Sequence, residues 1–468
     1  MCTGWGWYRK MGCPQYIMSP MVGQSELAFR MLGRQHGVQL AYTPMMYSRA
    51  LVTPFRISSK FVSSKQYRAA LFQTCSEDRP LVAQFCGNHP DTILAAARLI
   101  EDQVDAVELN LGCPQDVAKR GHYGAFLMED WPLVHQLLST LVQGVEYLAV
   151  TAKIRRYADY GKTLAYCQML QSTGISMLTV HPRQRHEKEE VLADWSFINR
   201  IKKVMKIPVV SNGDIWHADD LQLCRRVTAS DGFMSAQGLL HNPALFEPLL
   251  ALEDQDIPRQ SDPGDSAAFM RHRRVISRFA GGMALNISWS KVHLDPGVGN
   301  QKQKAGVAPM PKSATPSSSS ISSYFSNPDD AARQFRLANE YCDWVHKFPP
   351  SHPSIVRRHL FFILFDFFQA NTDAYDLLHV ASTRDAYLKI VSVLEQRARS
   401  GKFHMDKDKA IKRTRRRDGT LAPPPWPVGG GNAGVSGEGD ETNEEPEPVE
   451  DSKEDDSPEE VDPEAAIE

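Results

Sequence analysis

Pro208–Leu240 reads PVVSNGDIWHADDLQLCRRVTASDGFMSAQGLL. An apolar run, Pro208–Ile215, carries the turn-forming SNGD. A mixed apolar and charged stretch follows, then a second apolar run, Gly232–Leu240, which carries SAQG. Strand, helix and strand within about 30 residues is the repeat of a parallel sheet. The same alternation extends back to residue 16. Further strands are predicted at Tyr16–Val22, Leu40–Met46, Leu81–Gly87, Ala106–Gly112, Tyr147–Arg155 and Ser176–Pro182. Helical patterns such as Gln24–Gly37 and Asp91–Asp102 lie between them. Eight such units within residues 16–257 predict an α/β fold, a (β/α)8 TIM barrel. A doubly wound open sheet is the competing architecture. In a barrel, chemistry sits at the C-terminal ends of the strands. Those ends read PMV, TPMM, QFCGN, NLGCP, KIRR, HPR, SNGD and SAQG, rich in groups that bind or transfer protons.

The chain has 468 residues, 42% hydrophobic and 23% charged, enough for a sizeable core and against wholesale disorder. No run approaches the roughly 18 apolar residues of a membrane helix. The opening MCTGWGWYRK has neither a signal-peptide nor a transit-peptide pattern. A cytoplasmic, or also nuclear, protein without membrane attachment is expected, acting as a monomer. The net charge of −3 hides an asymmetry: residues 438–468 hold sixteen Asp/Glu and one Lys, so the rest carries a net +12. A basic body is compatible with a polyanionic partner. The eight cysteines form no CxxC pair, so neither a disulfide framework nor a metal site is expected.

Domain boundaries follow composition. Residues 1–15 read as an N-terminal extension. Residues 258–328, with PKSATPSSSSISS, read as a low-complexity linker or insertion. A helical pattern returns over 329–400 (ARQFRLANEYCDWVHKF, IVRRHLFFILFDFFQ, AYLKIVSVLEQRA), predicting a small all-α bundle of three or four helices. Residues 401–468 combine a basic run, Lys407–Arg417 (KDKAIKRTRRR), with the acidic tail, and are expected to be disordered. The basic run suits phosphate contacts, and nuclear targeting or a solvated tail together weigh about as much against that reading.

The most informative stretch is Glu108–Leu127, ELNLGCPQDVAKRGHYGAFL. Asn110 and Cys113 stand at a strand end, before a glycine-bearing loop. A cysteine there can be a nucleophile, a ligand, a general acid or a small buried residue. An ordinary thiol, with a pKa of about 8.5, is mostly protonated at neutral pH. Lys119, Arg120 and His122 pull toward thiolate, so the thiol's state stays open. The tetrapeptide itself proves nothing, because Gly12–Gln15 repeats it at the opposite end of the expected barrel.

LNLGCPQ followed by AKRGHYGAFL resembles the active-site loop of the tRNA-dihydrouridine synthases, most like the eukaryotic branch acting on positions 16 and 17 of the D-loop. SPMVGQSELAFR, YTPMM, RPLVAQFCGN, TAKIR, TVHPR, PVVSNGDI and MSAQGLLHNPALFE agree in order, and 329–400 resembles the family's C-terminal tRNA-binding bundle more weakly. The resemblance implies an FMN-binding barrel that takes electrons from NADPH or NADH and reduces uridine in tRNA. It implies that Cys113 is the proton donor and that the Pro20 and Met21 backbone lies along the flavin ring. Gln84, Asn110, Lys153 and His181 would surround the isoalloxazine. Asn212, Gly213 and Asp214, with Ala236, Gln237 and Gly238, would hold the phosphate and ribityl end. Lys119, Arg120 and Arg183 would lie near the substrate. The chain departs from the family pattern at Gly23 (usually Asp), Glu108 (usually Asp), Pro182 (often Gly) and along Gln184–Ala193. Two other functions stay open: a flavin barrel reducing a free pyrimidine or small enoate, and a non-catalytic tRNA-binding protein.

Overall fold

The computed structural model describes residues 4–57, 60–188, 191–253 and 328–401. Eight parallel strands form a ring: β1 (Tyr16–Met18), β2 (Ala41–Tyr42), β3 (Leu81–Cys86), β4 (Ala106–Leu111), β5 (Ala149–Arg155), β6 (Met177–His181), β7 (Val209–Asn212) and β8 (Gly232–Ser235). They pair in the order β1-β8-β7-β6-β5-β4-β3-β2. A parallel bridge between Ile17 and Leu40, and a 2.9 Å bond from Met18 N–H to Leu40 O, closes the ring. Closure excludes the open doubly wound sheet, which keeps two unpaired edge strands, whereas here β1 pairs with β8 and also meets the strand that follows it. The strands read as continuous apolar runs because both faces are covered: side chains fill the interior and helices pack outside.

The strands are shorter than the sequence reading, β1 ending at Met18 and β7 at Asn212, and two further boundaries differ for a local reason. Leu40–Met46 breaks at Pro44, which has no N–H to give the ladder. Ala41–Tyr42 and Met46–Tyr47 then pair separately with the two ends of β3. Gly232–Leu240 is strand only to Ser235; Gln237–His241 is helical.

The lower interior of the barrel is one layer of side chains: Ile17, Leu40, Tyr42, Val82, Ala106, Ala149, Met177, Val210 and Met234. A short helix, Trp5–Lys10, closes it from below by burying Trp7 and Tyr8 against that layer. Trp7 Nε1 donates to Asp105 O (3.2 Å) and Tyr8 Oη to Pro14 O (2.7 Å), so neither polar tip is left unpaired. The first fifteen residues thus include an integral plug of the barrel floor.

The second region holds five helices: Pro328–Lys347, Pro353–Ile363, Phe365–Ala370, Thr372–Val380 and Arg384–Ser400. It packs on the barrel helix Leu27–Gln35, and the two regions share one continuous apolar core. At the centre of that contact Glu26 is buried. It accepts from Tyr341 Oη (2.8 Å) and lies 2.8 Å from His359 Nε2. The His359 ring stacks on Phe29, centroids 4.1 Å apart. Burial works against the Glu26 charge, but the imidazole and the tyrosine hydroxyl outweigh it and hold the carboxyl below its ordinary value. The expected linker (all but Pro328), the Lys407–Arg417 run and the acidic tail lie outside the described residues.

Candidate active site

Strand register decides which side chains share the C-terminal mouth of the barrel. Gln84 stands opposite Glu108, Asn110 opposite Lys153, and Arg155 opposite His181. With Pro20 and Met21 after β1, and Cys113 after β4, these residues line an open cleft of about 420 Å³. That volume lies in the range of about 300–1,000 Å³ common to small-molecule sites. Pro20, Met21, Gln84, Asn110, Cys113, Lys153 and His181, all singled out from sequence, therefore converge.

A relay of buried amides holds the cysteine. Gln84 Nε2 donates to Glu108 Oε1 (2.8 Å), which turns its own carbonyl oxygen toward Asn110 Nδ2 (2.9 Å). Asn110 Oδ1 then accepts the N–H groups of Gly112 (3.0 Å) and Cys113 (2.9 Å). From the other side the loop folds back. Ala125 N–H donates to Cys113 O (2.9 Å), and Gly124, at φ +64°, passes so close that a Cβ there would lie 2.8 Å from the same oxygen. Only glycine tolerates both that dihedral and that approach.

Burial pushes the Cys113 thiol above its ordinary value, although the Gln115 N–H, Arg155 and Lys153 pull the other way. Burial thus favours the protonated thiol at neutral pH. Burial likewise raises Glu108 and lowers Lys153, and the attraction between the two opposes both shifts. His181 is pushed well below its ordinary value by burial and by Lys153, Arg155 and Arg183, so its ring is neutral. Arg183 Nη1 lies 3.1 Å from His181 Nε2, which makes Nε2 the acceptor and leaves the proton on Nδ1.

The β7 and β8 ends form the wall behind His181 and do not line the cleft. Asn212 is buried, with Nδ2 donating to Met234 O (3.0 Å). Gly213, at φ +105°, abuts His181: a Cβ would meet Cδ2 at 2.9 Å. Ala236 leads into the helix that Gln237 begins. Gly238 packs against the Ile215 carbonyl, where a Cβ would lie at 2.4 Å. Asp214 pairs with Arg183 and accepts the Ala193 N–H (2.7 Å). Arg183, expected near the substrate, is therefore buried and directs its donors to Asp214, His181 and Val191 O. Lys119 and Arg120 are exposed at the end of the helix Asp116–Arg120, outside the cleft.

Among the cleft residues that the sequence reading does not name are two arginines. Arg155 was visible in the KIRR strand end but was not singled out; its Nε donates to Gly112 O (3.0 Å), tying β5 to the cysteine loop. Arg358 comes from the helix Pro353–Ile363, and no local pattern connects it to the barrel. Among the described residues no cluster of His, Cys, Asp or Glu is placed to hold a metal ion.

A family model described as Dihydrouridine synthase (Dus) matches residues 17–286. A mouse protein named tRNA-dihydrouridine(16/17) synthase NAD(P)(+)-like is 43% identical over 264 residues, covering 54% of this chain and 53% of that protein. The Saccharomyces cerevisiae tRNA-dihydrouridine(16/17) synthase is 44% identical over 251 residues, covering 52% and 57%. A human tRNA-dihydrouridine(20a/20b) synthase-like protein is 36% identical over 232 residues, covering 49% and 70%. The chain thus spans just over half the length of the mouse and yeast relatives it matches.

Proposed function

The chain belongs to the dihydrouridine synthase family, and from that premise we propose that it reduces the C5=C6 bond of uridine in tRNA, at positions 16 and 17 of the D-loop, with FMN and NADPH or NADH. The observation that carries this reading is Cys113, a thiol kept protonated by burial at the mouth of a cleft and fixed by Asn110 and Gly124. Saturating a C=C bond needs a hydride at one carbon and a proton at the other; the thiol is a placed proton source.

The residues present fit a flavin. The cleft combines an apolar wall (Met21, Met45), two fixed amides (Gln84, Asn110) and a cation (Lys153), a donor and acceptor set suited to a ring carrying carbonyls and nitrogens. FMN, when bound, supplies the hydride for C6 of the base. Lys153 would favour the electron-rich edge of the reduced ring. The neutral His181 offers an Nδ1–H donor without adding charge. Cys113 gives its proton to C5. Gln84 and Asn110 of the lining are buried in the barrel, so a uridine must leave its stack to reach them. The helical region favours a macromolecular substrate over a free pyrimidine, because it sends Arg358 into the same cleft. Oxidation of NADPH that depends on tRNA, and not on free uridine or UMP, tests the assignment; equal turnover with the free nucleotide would reject it.

Gly213→Ala is expected to lose bound flavin. The added methyl falls 2.9 Å from His181 Cδ2 at a φ of +105° that side chains rarely adopt, so the β7 wall must move. We expect a destabilisation of about 1–3 kcal/mol and loss of the yellow absorbance after gel filtration. A variant that retains stoichiometric flavin would contradict the close-packed wall.

A further inference from the structure

We propose that Glu108, buried in the barrel beneath the cleft, is a positioning residue: its carboxylate is the counter-charge that keeps Lys153 an ammonium where the flavin is held. This rests on the reading of the cleft as a flavin site. No step of the reduction uses Glu108 directly, yet its side chain has no exposed surface. A carboxylate so placed is costly unless it answers donors and an opposite charge.

Hydrogen-bond directions make Glu108 an acceptor. The N–H groups of Gly112 and Cys113 can only donate, and Asn110 Oδ1 receives both (3.0 and 2.9 Å). Asn110 Nδ2 must then face Gln84 Oε1 (2.9 Å), and Gln84 Nε2 must face Glu108 Oε1 (2.8 Å). Thr151 Oγ1 donates to the other oxygen, Oε2 (3.3 Å). Donors at both oxygens favour the ionised form.

Strand register brings the cation to it. Glu108 stands opposite Thr151, and Asn110 opposite Lys153. Alternate residues of a strand share a face, so Lys153 is the diagonal neighbour of Glu108 on the inner side of the barrel. The other groups that face Lys153 are Cys113 from the loop after β4, Arg155 from its own strand and His181 from β6, with Arg358 lining the same cleft. Burial favours the protonated thiol, His181 is neutral, and the arginines are cations. Tyr42, from β2, faces Glu108 from the layer below, and burial keeps its hydroxyl neutral. Among the described residues around Lys153, Glu108 is therefore the group that carries negative charge. Burial and Arg155 push Lys153 toward the neutral amine, and Glu108 opposes them. A neutral amine would give a flavin carbonyl an ordinary hydrogen bond in place of a charge-assisted one.

The test is the FMN affinity of the full-length protein across pH, read from the quenching of flavin fluorescence. It compares wild type with Glu108→Gln, Glu108→Asp, Lys153→Gln and the double variant Glu108→Gln with Lys153→Gln, each checked by its melting curve. At neutral pH Glu108→Gln should bind FMN about ten-fold more weakly, the loss of one charge-assisted hydrogen bond. That deficit should close as pH falls, because acid restores the ammonium. Glu108→Asp, which keeps the charge, should follow wild type. Lys153→Gln should carry a deficit that acid does not close, and adding Glu108→Gln to it should change nothing further. Wild-type affinity in Glu108→Gln, or a deficit that is equal at every pH or persists in the Lys153→Gln background, overturns the proposal. If Glu108→Gln does not fold, the ratio of wild-type to Lys153→Gln affinity decides: it should fall as pH rises, and a constant ratio overturns the proposal. A folded wild type that takes up no FMN overturns the flavin reading along with it.

Discussion

Cys113→Ala is expected to lower dihydrouridine formation by roughly 10²–10⁴-fold, the usual contribution of a placed acid, while the protein stays folded and keeps its cofactor absorbance. The side chain is small and half-buried at the edge of the core, so its loss leaves the fold intact. Its backbone is held independently, by Asn110 and by Ala125. What disappears is the proton for C5. The pH dependence has a definite sign. Burial raises the thiol, and the protonated form is the active one, so product formation should be level through neutrality. It should fall only as pH rises above the ordinary thiol range. A thiolate nucleophile would give the opposite limb, with activity rising over that range. Wild-type turnover on tRNA by Cys113→Ala would show that another group is the acid.

His359→Ala should be the most destabilising single change at the junction of the two regions. It leaves the Glu26 carboxylate buried without its imidazole partner, a defect of about 3–5 kcal/mol, and removes the stack on Phe29. The melting temperature should drop by roughly 5–15 °C. Changing both partners, Glu26→Gln with His359→Ala, should recover part of that loss, because no charge is then stranded. Acid behaviour follows from Glu26. Its carboxyl is held below the ordinary value, so its contribution is complete above the ordinary carboxylate range and is lost as pH falls through the lowered folded value. Wild type should therefore lose more stability than Glu26→Gln on acidification, as followed by melting curves over pH. Identical melting of His359→Ala and wild type would show that the junction does not depend on this pair.

The catalytic face was legible because barrel strands buried on both sides read as apolar runs, and the residues that end them are chemically distinctive. Strand order alone puts NLGCP, KIRR and SNGD at one mouth. Boundaries were less legible where a local rule was overridden. Pro44 splits the second strand, and the run beginning at Gly232 turns helical at Gln237 although its apolar content continues. The helix Trp5–Lys10 is too short to show a period, and only the barrel floor gives Trp7 and Tyr8 somewhere to go. Pairings between distant ends were not legible. Nothing in HPR and SNGD says that Arg183 and Asp214 engage each other, and nothing near Arg358 says that its helix docks beside Gly23.

The central claim is the chemistry and its position on the tRNA. Its most direct test is mapping of dihydrouridine at nucleotide resolution in tRNA from cells lacking the gene for this protein, before and after incubation with the purified protein, FMN and NADPH. The account predicts that dihydrouridine is missing at positions 16 and 17 and returns there on incubation. Full dihydrouridine at both positions in the deleted cells, or none formed by the purified protein, would contradict it.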